Sequence, residues 1–150
     1  MYALTLQQPF ATFVALGIKE FETRNWYTHY RGPLLIHAGV TPVKRQGKIL
    51  IKQLSEKFRP IGNLLLPITE YPIAAIVCKC ELVDCIPTTS FTPNNLERMT
   101  GWWEQSYAWK LEEVQPLFIP QVLGKQGLWK FPDEEVLKYS ENAHFVGANS

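Results

Sequence analysis

The chain has 150 residues, 46% of them apolar and 19% charged, with a formal charge of +1. This length supports one domain with one substantial core, and the apolar fraction excludes a disordered chain. Near-neutrality excludes a protein that coats nucleic-acid phosphates with its whole surface, but leaves room for a pocket that reads one base or one small polar ligand.

In chain order, Ala3 to Leu6 reads as a short strand. Pro9 suits the first turn of a helix, where its missing N–H costs nothing. Phe10, Phe13, Val14 and Gly17 follow at helical spacing, and Gly17 is a natural residue just past a helix end. Lys19 to Arg24 alternates with strand periodicity: Lys19, Phe21 and Thr23 on one side, Glu20, Glu22 and Arg24 on the other. Tyr30-Arg31-Gly32-Pro33 reads as a turn and Leu34 to Ala38 as a buried strand. Val43 to Phe58 is the clearest amphipathic helix, with Val43, Leu50, Leu54 and Phe58 on one stripe and Lys44, Arg45, Lys48 and Lys52 opposite. Ile61 to Pro67 is irregular and apolar. Ile73 to Ile86 reads as a long strand or a bent pair. Thr88 to Ser106 carries turn and capping residues (Thr92-Pro93-Asn94-Asn95) and reads as a loop with room for a short helix. Tyr107 to Val114, Gln121 to Leu123 and Leu128 to Phe131 read as strands, and Asp133 to Tyr139 as a short terminal helix. Six or seven strands with two or three helices predict a small α+β barrel. The absence of strict strand–helix alternation and of a G-x-G-x-x-G motif argues against a dinucleotide-binding sheet.

Cys78, Cys80 and Cys85 are an odd number of thiols in a chain too long to need a disulfide framework. A metal site joining them to a histidine is the sharper alternative. However, Cys-x-Cys is not a zinc-knuckle spacing and no second ligand pair follows, so buried inert thiols are expected, with no metal and no cofactor. The N-terminus has no basic region and no small-residue cleavage site. The apolar stretch Phe10 to Ile18 is too short to span a bilayer. The expectation is a soluble cytoplasmic protein with no membrane partner.

The segment Gly17-Ile18-Lys19-Glu20-Phe21-Glu22-Thr23-Arg24-Asn25-Trp26 concentrates the chemistry. On a strand, Glu22 and Arg24 are neighbours on one face. There they can pair while Arg24 offers its donor fork to a carbonyl, a phosphate or a base edge. Lys19, just past Gly17, can swing into the same mouth, where desolvation beside an arginine would lower its pKa. The plainer alternative is an exposed strand solvated by its charges.

Three segments together resemble the ASCH domain family of the PUA-like superfamily of small β-barrels. They are Leu4-Thr5-Leu6-Gln7-Gln8-Pro9-Phe10-Ala11, the G-x-K-x-x-E-x-R pattern from Gly17 to Arg24, and Arg31-Gly32-Pro33-Leu34-Leu35-Ile36-His37-Ala38. Tyr107 to Glu112 and Gly124-Lys125-Gln126-Gly127-Leu128-Trp129 are similar to the family's later strands. The resemblance covers about Tyr2 to Phe131 and implies one domain over residues 1–150, with a C-terminal extension over 132–150. It also implies binding of RNA or a modified nucleoside in the cleft beside the G-x-K-x-x-E-x-R segment. Some bacterial members of the family hydrolyse the amide of N4-acetylcytidine, and one is described as a ribonuclease. The amidohydrolase type uses a lysine, a threonine three residues later and a more distant glutamate. Lys19 matches the lysine, but Glu22 stands where the threonine would be and Thr23 lies on the other strand face. Glu97 and Glu104 are candidates for the distant glutamate. In an enzyme, Lys19 would be nucleophile or general base, with Glu22 orienting it or accepting a proton and Arg24 holding an oxyanion or phosphate.

The remaining candidates have plainer alternatives beside them. Gln8 can offer its amide to a base edge or cap the helix start. His37 can line the cleft or be a satisfied core histidine. Trp26, Trp109 and Trp129 can stack on a base or fill the core. The Trp102-Trp103 pair can be a lid or an anchor that packs its loop. Residues 44–59 hold six basic side chains against Glu56 alone, a local charge of +5 that leaves −4 for the rest of the chain. This is either a solvated face or a phosphate-tracking surface. The candidate site is therefore Lys19 and Glu22 if catalytic, and Gln8, Lys19, Glu22, Arg24, Trp26, His37, Trp109, Gln126, Lys44, Lys48 and Lys52 for ligand or RNA.

Overall fold

A computed structural model describes residues 1–149. The elements are β1 (Tyr2–Leu6), α1 (Phe10–Ala15), β2 (Phe21–Arg24), β3 (Gly32–Ala38), α2 (Arg45–Lys57), α3 (Arg59–Gly62), β4 (Ala75–Pro87), α4 (Asn95–Thr100), β5 (Tyr107–Ile119), β6 (Leu128–Lys130) and α5 (Asp133–Asn149). The six strands form one mixed sheet in the order β2-β5-β4-β3-β1-β6. Among the described residues β1 and β3 run parallel and the other neighbours antiparallel. The long strands β4 and β5 carry register shifts near Cys78, Glu81 and Asp84. Such bulges add local bend and twist, which curl the sheet into a half-barrel.

The α+β barrel-like fold expected from the element pattern is the one observed. Among the described residues five α-helices stand against the two or three expected: α4 falls within the Thr88 to Ser106 stretch, and α3 is a single short turn with little periodicity to read. Gln121 to Leu123 is not a strand. Pro120 supplies no donor and Gln121 takes a left-handed φ of 58°, so the ladder ends at Ile119. In the other direction, β5 runs on past Val114. Beyond that point β4 offers partners, pairing Lys79 with Gln115 and Ile76 with Ile119.

The core is divided by the sheet. Leu4, Leu6, Leu34, Ile36, Cys78, Cys80, Leu82 and Trp109 pack with Ala11 and Val14 of α1. On the other side Ala3, Leu35, Ile76, Leu117, Ile119 and Trp129 pack with Val136 of α5. The alternation along β1 and β3 thus buries both strand faces. Phe13 and Ile18 meet Ile51, Leu54 and Tyr71 in a third cluster under α2. The three cysteines are buried, and burial pushes the Cys80 thiol up to about 12. Among the described residues no helix is long and apolar enough to cross a membrane.

Candidate functional site

The site begins where α1 ends. Gly17 adopts φ +77°, a conformation that glycine takes without strain, and turns the chain back on itself. The amides of Ile18 and Lys19 both donate to the Phe13 carbonyl. Lys19 therefore lies just before β2 in non-strand backbone. Strict alternation would have sent Lys19 and Glu22 to opposite faces. Released from the ladder, Lys19 Nζ comes to 3.4 Å from Glu22 Oε1.

Glu22 is the hub. Its Oε2 accepts from Arg24 Nε at 3.0 Å and lies 2.9 Å from Nη2, while Oε1 faces Lys19. Arg24 Nη2 also donates to the Thr5 carbonyl of β1 at 2.7 Å. Lys19 donates to the Thr100 carbonyl at the end of α4, and its ammonium lies 5.5 Å from the Phe10 ring centre. A capping box holds α4 in place: Asn94 accepts from the Glu97 amide, and the Glu97 carboxylate accepts from the Asn94 amide. Lys19 is almost fully buried, and burial pushes its ammonium below the ordinary 10.5, with Glu22 acting in the opposite direction. Arg24 Nη1 has no partner among the described residues, so the guanidinium keeps donor capacity.

Lys19, Glu22 and Arg24 line a cavity of about 380 Å³ whose walls include Thr5, Gln7, Phe10, Thr100, Trp102 and Gln105. Trp102 is 62% exposed, and its backbone amide is pinned by Thr23 Oγ1 at 2.9 Å. Thr23, on the opposite strand face from Glu22, thus fixes the rim of the cavity. Trp103 is the anchor of the pair. It packs edge-on against Phe21 and Phe91 and donates Nε1 to the Glu97 carbonyl.

The other candidates are placed elsewhere. Gln8 is buried with its amide fully engaged: it donates to Thr12 and the Pro72 carbonyl, and it accepts from the Thr12 amide. His37 is buried on β3 between Thr5 Oγ1 (3.0 Å) and the Val122 carbonyl (2.7 Å). Trp109 is fully buried beneath Trp26, whose ring meets it edge-on at 4.6 Å. Trp129 is buried and donates to Thr5 Oγ1. Gln126 is exposed in the loop before β6 and does not line the cavity. Lys44 lines an adjoining cavity, whereas Lys48 and Lys52 lie farther along α2 beside Ile49 and Ile68. The Glu97 carboxylate is spent on the capping box, and Glu104 lines the adjoining cavity rather than meeting Lys19. Sequence reading missed the Thr100 carbonyl, which carries no side-chain signal, and did not single out Trp102 from its neighbour. Among the described residues no group of three or more His, Cys, Asp and Glu side chains is placed to hold a metal ion.

This chain is similar to several known proteins. It is 31% identical over 131 residues to Activating signal cointegrator 1 of Mus musculus, covering 86% of this chain and 22% of the relative. Against Activating signal cointegrator 1 of Homo sapiens it is 30% identical over 91 residues, covering 60% of this chain and 15% of the relative. The chain thus spans less than a quarter of the length of these curated relatives. The crystal structure of ASCH from Zymomonas mobilis superposes with a TM-score of 0.53 at 15% identity, covering 93% of each chain. The crystal structure of a point mutant of that bacterial protein gives the same score at the same identity, covering 94% of each chain. At this identity the two structures speak to fold alone. The family profile of the ASCH domain matches residues 4–121, which takes in Lys19, Glu22, Arg24 and the whole of the cavity they line, and the chain belongs to the ASCH domain family.

Proposed function

We propose that this domain binds RNA or a modified nucleotide, seating one base in the cavity above Lys19, Glu22 and Arg24. The observation that carries this reading is the unspent donor capacity of Arg24 in a polar cavity of about 380 Å³ with an exposed indole in its wall. That volume falls in the range of small-ligand sites. Arg24 supplies directional donors for a base edge or carbonyl, and Glu22 holds the guanidinium in place. Trp102 supplies a stacking face. The family membership supports the same reading. The test is a titration with RNA oligomers at low salt: saturable binding that Arg24→Ala abolishes is expected, and no binding to the wild-type protein overturns the reading.

A second reading is an amidohydrolase on N4-acylated cytidine-type nucleosides, or a ribonuclease. Burial of Lys19 favours it, because a lowered pKa raises the neutral fraction of an amine that lines the cavity. Glu22, held by both cations, would orient Lys19. Purified protein is assayed on N4-acetylcytidine and on single-stranded RNA. Turnover that Lys19→Ala abolishes supports the enzyme, and turnover that survives the change removes Lys19 from the mechanism.

A further inference from the structure

The cleft continues beyond the base cavity. A second cavity of about 560 Å³ adjoins it, and Gln7, Phe10, Gly101 and Trp102 are common to both walls. The chemistry changes across this shared wall. In the first cavity the cations Lys19 and Arg24 are tied to Glu22. The second is lined by Lys44, Arg45 and Arg98, with Glu104 as the acidic residue in its wall. Among the described residues, none of these three cations makes an ion pair. They come from two separate elements, the start of α2 and the end of α4.

The packing makes this wall a fixed feature. A Cβ on Gly47 would fall 2.8 Å from Pro9 Cδ and 2.9 Å from Val43 Cγ1. Glycine therefore lets the first turn of α2 approach the start of α1 closely, which brings Lys44 and Arg45 to the end of the cleft. The segment 101–105, pinned to β2 through Thr23, carries Trp102 between the two cavities. Two guanidinium forks and an ammonium that line one cavity without an ion-pair partner, and outnumber its one carboxylate, Glu104, suit a tetrahedral dianion or a phosphodiester.

We propose that the second cavity is a phosphate subsite, and that the cleft takes a segment of single-stranded RNA rather than a free nucleoside. One base lies over Lys19, Glu22 and Arg24, and an adjoining phosphodiester lies on Lys44, Arg45 and Arg98. This rests on the reading of the first cavity as a base site. It also divides the basic face of α2. Lys44 belongs to the cleft and Arg45 stands at the boundary, lining both the cleft and the depression beside Ile49, Ile51 and Ile68, whereas Lys48 and Lys52 line the depression alone.

The experiment measures affinity and salt slope for oligocytidylate, oligouridylate and oligoadenylate octamers, and for the matching nucleosides. The wild-type protein is compared with Arg45→Ala/Arg98→Ala, Arg24→Ala and Lys48→Ala/Lys52→Ala. Arg45 and Arg98 are exposed, and an unchanged Tm verifies that the variant folds. The expected result is an octamer bound at least tenfold more tightly than its nucleoside. The Arg45/Arg98 variant should lose most of that advantage, with the slope of log K against log salt falling by about 0.7 per lost contact. Its nucleoside affinity and the octamer affinity of the Lys48/Lys52 variant should stay within about twofold of wild type, as expected for residues outside each contact. An unchanged octamer affinity in the Arg45/Arg98 variant, with binding still abolished by Arg24→Ala, overturns the phosphate subsite and leaves the base site standing. Equal losses in the Arg45/Arg98 and Lys48/Lys52 variants also overturn it, because they report a diffuse basic face. No octamer binding to the wild-type protein overturns both readings together.

Discussion

Thr5 stands between two polar clusters that differ in what they leave unspent. Its side chain belongs to the His37 cluster. There the Trp129 indole donates to Thr5 Oγ1, the hydroxyl can donate to His37 Nδ1, and His37 Nε2 reaches the Val122 carbonyl. A carbonyl only accepts, so this chain fixes the proton on Nε2, and each member is satisfied. The carbonyl of Thr5 belongs to the other cluster, where it accepts from Arg24. That cluster also has a buried lysine and a buried carboxylate, but the Arg24 guanidinium retains unpaired donors beside a cavity. Burial of a polar side chain is common to both and does not distinguish them. Residual hydrogen-bonding capacity facing open volume does, because only that capacity is available to a ligand.

This contrast is tested first at Glu22. Glu22→Ala removes the counter-charge of a buried lysine and a half-buried arginine, and should cost about 3–5 kcal/mol of stability, read from denaturant unfolding. Glu22→Gln, which keeps shape and one acceptor, should cost less and still weaken RNA binding by misaligning Arg24. A stability close to wild type for the alanine variant would mean that Glu22 is not the hub. His37→Ala leaves the Val122 carbonyl without its imidazole donor and opens a void in the closed cluster, while Thr5 keeps the Trp129 indole, and should cost about 2 kcal/mol. The distinguishing reading is ligand affinity: the folded fraction should bind as wild type does, and a loss of affinity would move His37 into the site. Trp102→Ala should do the reverse. It should lower RNA affinity roughly tenfold by removing a stacking face worth about 1–3 kcal/mol, while unfolding shifts by less than about 0.5 kcal/mol.

The smallest effect concerns pH. Burial holds the His37 pKa below the usual 6.5, with the Val122 contact acting in the opposite direction. The unfolded chain therefore takes up the proton first. The contribution of the closed cluster is complete above about pH 6.5 and is lost as pH falls toward the folded-state pKa. Urea midpoints measured from about pH 7.5 down to about pH 5 should decline in the wild type. His37→Gln should flatten that decline, and an unaltered slope would assign the acid sensitivity to other groups.

Much of the fold is legible in the sequence where periodicity is long. The stripe of Leu50, Leu54 and Phe58 marks α2, and the apolar run after Gly32-Pro33 marks β3. Short elements such as α3 carry too few residues for a period to register. The length of β5 was set by β4, since a strand is stabilised by its neighbour as much as by its own residues. In the site, the pairing of Glu22 with Arg24 follows from their i, i+2 spacing on β2. The position of Lys19 follows from Gly17 at the end of α1. Gln8, Trp109 and Trp129 have side chains that suit a binding role, and their buried contacts in the fold are with protein groups.

By itself the sequence determined the residue types, their local spacing and the strand on which the Glu22–Arg24 pair sits, because these depend on contacts a few residues apart. It also determined that a neutral total conceals a basic helix. Only the tertiary structure decided that the Thr100 carbonyl, 81 residues away in sequence, receives the Lys19 ammonium. The same holds for Trp102, and not Trp109 or Trp129, as the indole lining the cavity. It likewise brought Arg98 to the same wall as Lys44 and Arg45. These juxtapositions arise from the curl of the sheet, the packing of Leu96 and Met99 of α4 on the Phe13–Ile18 cluster, and the docking of the 101–105 segment on β2. Such long-range geometry leaves no periodic trace in the chain that it brings together.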